Sequence, residues 1–171
     1  AVATNNWAMA ERIRRYINLY FGDTERFAHT DLGYNYRMTN MQAALGVAQL
    51  ERIDYFINRK LEIGNLYREA LPADLIALQP TSGPVKHVYW MYAVLLSGEL
   101  NTMAVKIMQG LQKEGVGTRS LFKGLHLQTH LRKYVPDNSL YPVAENLYER
   151  GFYLPSSTTL EKDDVMRIAE S

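Results

Sequence analysis

The run from Gly33 to Leu50, GYNYRMTNMQAALGVAQL, constrains the fold more than any other part of the chain. Thr39 and Gln42 have the spacing of a capping box, in which the threonine hydroxyl accepts from a first-turn amide and the glutamine bonds back to the threonine backbone. We therefore predict that a helix begins near Asn40. Apolar residues recur after it at three- and four-residue steps, and no proline follows until Pro72, so the predicted helix is long. The apolar stripe comprises Leu50, Ile53, Ile57 and Leu61.

The residues just before this helix offer hydrogen-bond donors to an anion. They are Tyr34, Asn35, Tyr36 and Arg37. The free amides and the dipole at a helix N-terminus favour negative charge, so a phosphate would fit there. The alternative is a capped turn with aromatic packing and one surface arginine, and the residue types alone favour that alternative.

Composition excludes several classes of function. The 171 residues are 47% hydrophobic, which suffices for one core, with or without a flanking helical arm. The 19 basic and 18 acidic residues nearly cancel, so we expect neither nucleic acid nor an anionic membrane as a partner. The longest apolar run, Val88–Leu96, is too short to span a bilayer. Cysteine is absent and no signal peptide is visible, which together favour the cytoplasm.

The remaining segments alternate between helical and strand patterns. The run HVYWMYAVLL is aromatic, β-branched and apolar on both faces, as in a strand covered on both sides. Pro142 and Gly151 fit the first position and the stop of a helix. We predict further helices after Asn6 and across residues 101–115 and 160–171, and further strands at residues 116–121 and 152–154. The fold class is therefore α+β, with a small, mainly antiparallel sheet, helices packed on it and a long helix before it.

A metal site is not expected. His126 and His130 have the spacing of two ligands on one helical face, but no glutamate accompanies them and no third ligand is near in sequence.

Several blocks of the chain, in this order, resemble the DegT/DnrJ/EryC1/StrS sugar aminotransferases, which use pyridoxal phosphate. The blocks are TNNWAMAERIRRY, GYNYRMTNMQAALGVAQLERID, HVYWMYAVLL, TRSLFKGLHLQ and YPVAENLYERGFYLPSSTTL. The signature and the strand sequence are most similar to those of perosamine-synthase-like members, and the family's products usually enter lipopolysaccharide or antibiotic sugars. The resemblance implies the C-terminal half of a fold type I aminotransferase. Residues 1–38 would end the truncated large cofactor-binding domain, residues 39–72 would form a long connecting helix, and residues 73–171 would form the small domain.

The resemblance also implies roles for particular side chains. In the family, pyridoxal phosphate takes an amino group from glutamate and passes it to a nucleotide-linked 4-keto-6-deoxy sugar. Asn35 would bond to the cofactor phosphate of the neighbouring subunit in a homodimer with shared active sites. Tyr34 and Arg37 would lie beside that phosphate or the sugar nucleotide. Phe122 and His126 would line the sugar pocket; ordinary packing and a surface histidine are the alternative for those two.

No catalytic residue is predicted within these residues, because the family's Schiff-base lysine lies upstream of the signature and no lysine here has its sequence context. We therefore expect the isolated chain to be inactive. Two alternatives stay open. One is a non-catalytic module that binds a nucleotide sugar or pairs with an intact subunit, and the other is a piece of a related sugar dehydratase in which histidine replaces the lysine.

Overall fold

The computed structural model describes residues 2–23, 25, 27–81, 83–136 and 140–171. The chain forms two compact units, residues 1–52 and residues 53–171. The boundary between the units falls inside the range predicted for the connecting helix. Each unit is described by itself.

The first unit contains two helices, α1 (Trp7–Ile17) and α2 (Asn40–Leu50). The Asn6 side chain caps α1 by accepting from the Met9 N–H at 3.0 Å. Helix α2 begins with the predicted capping box. The Gln42 N–H donates to Thr39 Oγ1 at 3.3 Å, and the Thr39 N–H donates to Gln42 Oε1 at 2.9 Å. The predicted start of this helix is confirmed.

The segment predicted as one long helix is two helices, because α2 ends at Leu50 and a second helix, α3, spans Ile53–Ala70. The turn between them is tightened: the Arg52 N–H donates to the carbonyl of Gln49, three residues earlier, at 3.2 Å. Bonds of that span belong to a 3-10 rather than an α-helical turn, so the α-helical hydrogen-bond pattern stops there.

The second unit contains a sheet of four strands in the order β1-β2-β4-β3, and every neighbouring pair is antiparallel. The strands are β1 (Ile76–Leu78), β2 (Tyr92–Leu96), β3 (Arg119–Ser120) and β4 (Gly151–Leu154). Besides α3, the helices are α4 (Ala104–Lys113), α5 (Pro142–Arg150) and α6 (Lys162–Glu170), with 3-10 turns at Gly98–Leu100, Leu125–Leu127 and Thr129–Tyr134. The predicted antiparallel α+β architecture is confirmed.

Tyrosine rings stack in the core of the second unit, between α3 and the sheet. The rings of Tyr67 and Tyr92 lie 4.7 Å apart, and Tyr89 stacks on Tyr92 at 5.4 Å. Tyr89 fits because Gly64 has no side chain: a Cβ there would lie 2.6 Å from the Tyr89 ring. The buried face of α3 is therefore built from Ile63, Gly64 and Tyr67.

Two details of the prediction need correction. The predicted stripe does not form one buried face, because Leu50 and Ile53 are 67% and 42% exposed. The predicted strand at residues 87–96 is ordered as a strand only from Tyr92, because Tyr89 has a φ of 41° and turns its ring into the core. Strand β1 was not predicted.

Among the described helices, none combines the length and the apolar character needed to cross a bilayer. Within the same residues, no three histidine, aspartate or glutamate side chains converge so as to hold a metal ion.

Candidate functional site

Residues 33–37, here called the aromatic turn, lie against the C-terminal end of α1 through their backbone. The Tyr34 N–H donates to the Tyr16 carbonyl at 2.6 Å, and the Tyr36 N–H donates to the Ile17 carbonyl at 3.0 Å. Both acceptors belong to the last turn of α1, where carbonyls have no partner within the helix. The aromatic turn is therefore held by groups that the helix leaves unbonded.

Gly33 permits this close approach. A Cβ at residue 33 would lie 2.4 Å from both the Leu19 carbonyl carbon and the Tyr20 nitrogen, far inside any allowed contact. The Leu19 N–H completes the docking by donating to the Tyr34 carbonyl at 3.0 Å. The glycine that opens the signature is thus required by backbone-to-backbone contact.

The side chains of the aromatic turn divide between two faces. Asn18 and Asn35 form an isolated antiparallel bridge, so alternation places the Asn35 side chain opposite those of Tyr34 and Tyr36. The two tyrosine rings stack at 5.1 Å with an interplanar angle of 7°. The structure therefore groups Tyr34 with Tyr36, and Asn35 with Asn18.

Sequence reasoning missed Asn18. It is the C-cap residue of α1, and its Oδ1 is buried without a hydrogen-bond partner among the described residues. The only available signal was its position after a helix, and its pairing with Asn35 is a tertiary contact that no local pattern reveals.

The donors of the aromatic turn suit an oxyanion. Asn35 and Arg37 are exposed, and within the described residues neither side chain has a hydrogen bond or an ion pair. An amide and a guanidinium together present several N–H donors, and the guanidinium can grip two phosphate oxygens at once. The residues present therefore fit a phosphate group.

Phe122 follows the edge strand of the sheet in the second unit. Arg119 pairs with Tyr153 across β3 and β4, and the Leu121 N–H donates to the Gly151 carbonyl at 3.2 Å. The chain then leaves the sheet. The Phe122 ring is 66% exposed and meets the Tyr153 ring edge-on at 6.1 Å.

His126 is held on three sides. Its Nε2 lies 2.9 Å from Glu145 Oε1, and its ring packs against the Tyr141 ring at 4.6 Å. It also fills the space beside Gly124, where a Cβ would lie 2.4 Å from His126 Cε1. Only 12% of the side chain is exposed. His126 is therefore not a free surface histidine, and no sequence pattern indicated its partner Glu145.

Burial lowers the pKa of Lys60. Its Nζ donates to the Trp90 carbonyl at 3.2 Å, to Ser156 Oγ at 3.2 Å, and to the Ser156 carbonyl. Every N–H donor of the ammonium thus has an acceptor. We interpret Lys60 as a structural link between α3 and two loops rather than as a free amine nucleophile.

Residues 1–171, the whole chain, match the DegT/DnrJ/EryC1/StrS aminotransferase family. The chain belongs to this family. The GDP-perosamine synthase of Escherichia coli O157:H7 is 33% identical over 171 residues, which cover 99% of this chain and 45% of that protein. The GDP-perosamine synthase of Vibrio cholerae is 30% identical over 167 residues, covering 98% and 45%. The chain therefore spans less than half the length of these relatives.

Solved structures share the fold. The aminotransferase TlmJ from Streptoalloteichus hindustanus superposes with a TM-score of 0.86 at 25% identity, covering 98% of this chain and 44% of that one. DesV of S. venezuelae, solved in complex with a ketimine intermediate, gives a TM-score of 0.85 at 23% identity, covering 98% and 44%. The predicted family and fold class are both confirmed. The roles of Tyr34, Asn35, Arg37, Phe122 and His126 stay predictions.

Proposed function

We propose that this chain is part of a pyridoxal-phosphate-dependent enzyme that moves an amino group from glutamate to a nucleotide-linked 4-keto-6-deoxy sugar. The observation that carries the proposal is the aromatic turn of this chain, a member of the family. The backbone of the turn makes the hydrogen bonds to α1, and the side chains of Asn35 and Arg37 keep N–H donors that have no acceptor among the described residues. The similarity to two GDP-perosamine synthases supports the choice of sugar substrate.

Pyridoxal phosphate, when bound, supplies an electron sink and carries the amino group between the two substrates. The residues of this chain bind and orient. Asn35 donates to the cofactor phosphate of the neighbouring subunit, and Arg37 holds phosphate oxygens of the cofactor or of the nucleotide. Tyr34 contacts the sugar nucleotide from the opposite face of the turn. Phe122 and His126 line the sugar pocket.

We further propose a cytoplasmic homodimer with shared active sites. Helix α2 has no buried residue, although it is rich in apolar side chains. Met41, Leu45 and Leu50 are 81%, 70% and 67% exposed. Exposed apolar side chains on a helix that buries none of its residues indicate a contact surface in soluble proteins, which supports the assembly.

In this proposal the 171 residues alone do not catalyse the transfer. None of their lysines has the family's Schiff-base context, and Lys60 is committed to three acceptors. The covalent attachment of the cofactor belongs to the part of the enzyme outside this chain.

The test compares the isolated chain with the full-length enzyme that contains it. Each is mixed with pyridoxal phosphate, glutamate and a GDP-linked 4-keto-6-deoxy sugar, and products are followed by mass spectrometry. We expect the full-length enzyme to form the amino sugar and 2-oxoglutarate in equal amounts, and the isolated chain to form neither. Borohydride added to the isolated chain should trap no single stoichiometric adduct. A specific adduct would refute the inactive-fragment part, and a dehydrated sugar without an amino group would favour the dehydratase.

A further inference from the structure

We propose that Glu145 is a positioning residue that fixes which nitrogen of His126 carries the proton, so that His126 binds a hydroxyl group of the sugar. The inference rests on the proposed function, in which His126 lines the sugar pocket. The inference identifies Nδ1 as the atom through which His126 binds its ligand, and Glu145 as the residue that determines which nitrogen is protonated.

The contact between the two side chains sets the tautomer. A carboxylate only accepts hydrogen bonds, so His126 Nε2, 2.9 Å from Glu145 Oε1, must be the protonated nitrogen. In a neutral imidazole the other nitrogen then has no proton and can only accept. Among the residues that the structure describes, Nδ1 has no hydrogen-bond donor. In its neutral form His126 therefore offers a ligand an acceptor and not a donor at Nδ1.

The surroundings hold both partners in this arrangement. Glu145 lies in the first turn of α5, where the helix dipole stabilises a negative carboxylate. Its N–H donates to the Tyr141 carbonyl at 3.1 Å, and the ring of the same Tyr141 packs on His126 at 4.6 Å. Gly124 leaves the space that the imidazole occupies. Backbone, ring and carboxylate thus define one orientation of His126.

The ligand chemistry follows from the acceptor. A ketone oxygen and a phosphate oxygen are themselves acceptors, so neither bonds to an unprotonated nitrogen. A keto sugar presents hydroxyl groups, which donate. The geometry points to a sugar hydroxyl as the partner of His126 Nδ1.

The first experiment determines the tautomer of His126 in the absence of cofactor and substrate. Nitrogen-15 NMR of the His126 imidazole in the 171-residue chain, at a pH where the ring is neutral, should show Nε2 protonated and Nδ1 unprotonated. Glu145→Gln should give a mixture of tautomers, because a glutamine amide donates as well as accepts. Glu149→Gln, on the same helix, is the matched control and should leave the spectrum unchanged. A ring protonated on Nδ1 would overturn the assignment.

The second experiment tests the ligand in the full-length enzyme. Glu145→Gln should raise KM for the keto sugar by about two- to tenfold, in proportion to the fraction of His126 that loses the acceptor at Nδ1, with little change in kcat or in KM for glutamate. His126→Asn places an oxygen acceptor where Nδ1 lies, whereas the amide of His126→Gln reaches the position of Nε2. The asparagine variant should therefore retain more sugar affinity.

The outcomes separate the two proposals. If the wild-type enzyme does not aminate a keto sugar, the proposed function fails, and the sugar hydroxyl fails with it, whatever the tautomer. If it does aminate the sugar while Glu145→Gln keeps its KM, or His126→Gln outperforms His126→Asn, only the role of Glu145 and Nδ1 is refuted. Thermal melts identify variants that lose the fold, and for these the NMR result on the wild-type chain still decides.

Discussion

Gly33→Ala is the substitution that most directly tests how the aromatic turn is held. The added Cβ would lie 2.4 Å from the Leu19 carbonyl carbon and from the Tyr20 nitrogen. Both neighbours are backbone atoms, so no side-chain rotation can relieve the overlap. Carbon atoms in contact need about 3.5 Å, so the turn must move away from the Leu19–Tyr20 backbone by roughly 1 Å.

That displacement determines how much free energy the docked turn should lose relative to the open turn. The docking bonds of Tyr34, Leu19 and Tyr36 measure 2.6, 3.0 and 3.0 Å, and a shift of about 1 Å stretches each to or beyond the ~3.5 Å limit of a hydrogen bond. At about 1 kcal/mol per bond, the docked turn loses roughly 3 kcal/mol relative to the open turn. This free energy corresponds to about a hundredfold larger open population.

Amide hydrogen exchange measures the effect residue by residue. The amides of Leu19, Tyr34 and Tyr36 should exchange about a hundredfold faster in Gly33→Ala, because local opening controls their protection. The amide of Val94, in the β2–β4 pairing, serves as an internal reference and should not change.

Gly46→Ala is the matched control. A Cβ there meets no atom within 4 Å, and the residue lies inside α2. Alanine should stabilise that helix by roughly 0.5 to 1 kcal/mol and should not change the exchange rates of the amides in the aromatic turn. Unchanged exchange at Tyr34 and Tyr36 in Gly33→Ala would refute the account of the docked turn.

Two further predictions concern a binding side chain and a buried phenol. In the full-length enzyme, Asn35→Ala should weaken pyridoxal phosphate binding about tenfold to a hundredfold, the loss of a bond worth roughly 1.5 to 3 kcal/mol, while the melting temperature of the cofactor-free form stays constant; unchanged affinity with a lowered melting temperature would remove Asn35 from the site. Burial, with a smaller contribution from Tyr89, raises the pKa of Tyr92 to about 12, whereas an unfolded tyrosine titrates near ~10. The unfolded state therefore binds fewer protons between these values, and the unfolding free energy should fall as pH rises above ~10, by up to about 1.4 kcal/mol per pH unit. Tyr92→Phe should remove this contribution at little cost at neutral pH, because Tyr92 Oη has no hydrogen-bond partner among the described residues; urea denaturation across the alkaline range that shows the same slope in both proteins would contradict the assignment.

Elements with local signals were predictable from sequence, whereas elements defined by tertiary contacts were not. The capping box of Thr39 and Gln42 is satisfied within one helical turn, so its sequence spacing predicts its structure. The limits of β2 depend on Tyr89, which has a φ of 41° and whose ring occupies the space beside Gly64. Gly64 lies on another element, and neither residue signals the other in sequence. Strand β1 is only three residues long and shows too little alternation to be distinguished from a loop.

The same distinction between local signals and tertiary contacts applies to the candidate site. The donors of the aromatic turn stand in consecutive positions before a capped helix, so sequence alone could group Tyr34, Asn35 and Arg37. It could not show that alternation sends Tyr34 and Asn35 to opposite faces, because the bridge to Asn18 is what defines those faces. The partnership of His126 with Glu145 joins a 3-10 turn to α5, and no spacing rule connects them.

The aromatic turn and His126 need different test substitutions. In the turn the backbone holds the structure and the side chains are available for binding, whereas the His126 side chain serves both purposes. In the aromatic turn the docking bonds come from the backbone, so the Asn35 side chain can be removed without removing any contact that holds the turn. Truncation to alanine there isolates binding. The His126 side chain is itself a packing and hydrogen-bonding element, since it contacts Glu145 and Tyr141. His126→Ala would open a cavity beside Gly124 and leave the Glu145 carboxylate without its donor, so a loss of activity would not distinguish misplacement of the loop from loss of the ligand contact. Asparagine and glutamine at position 126, which differ in where the amide lies, are therefore the informative pair for this residue, as alanine is for Asn35.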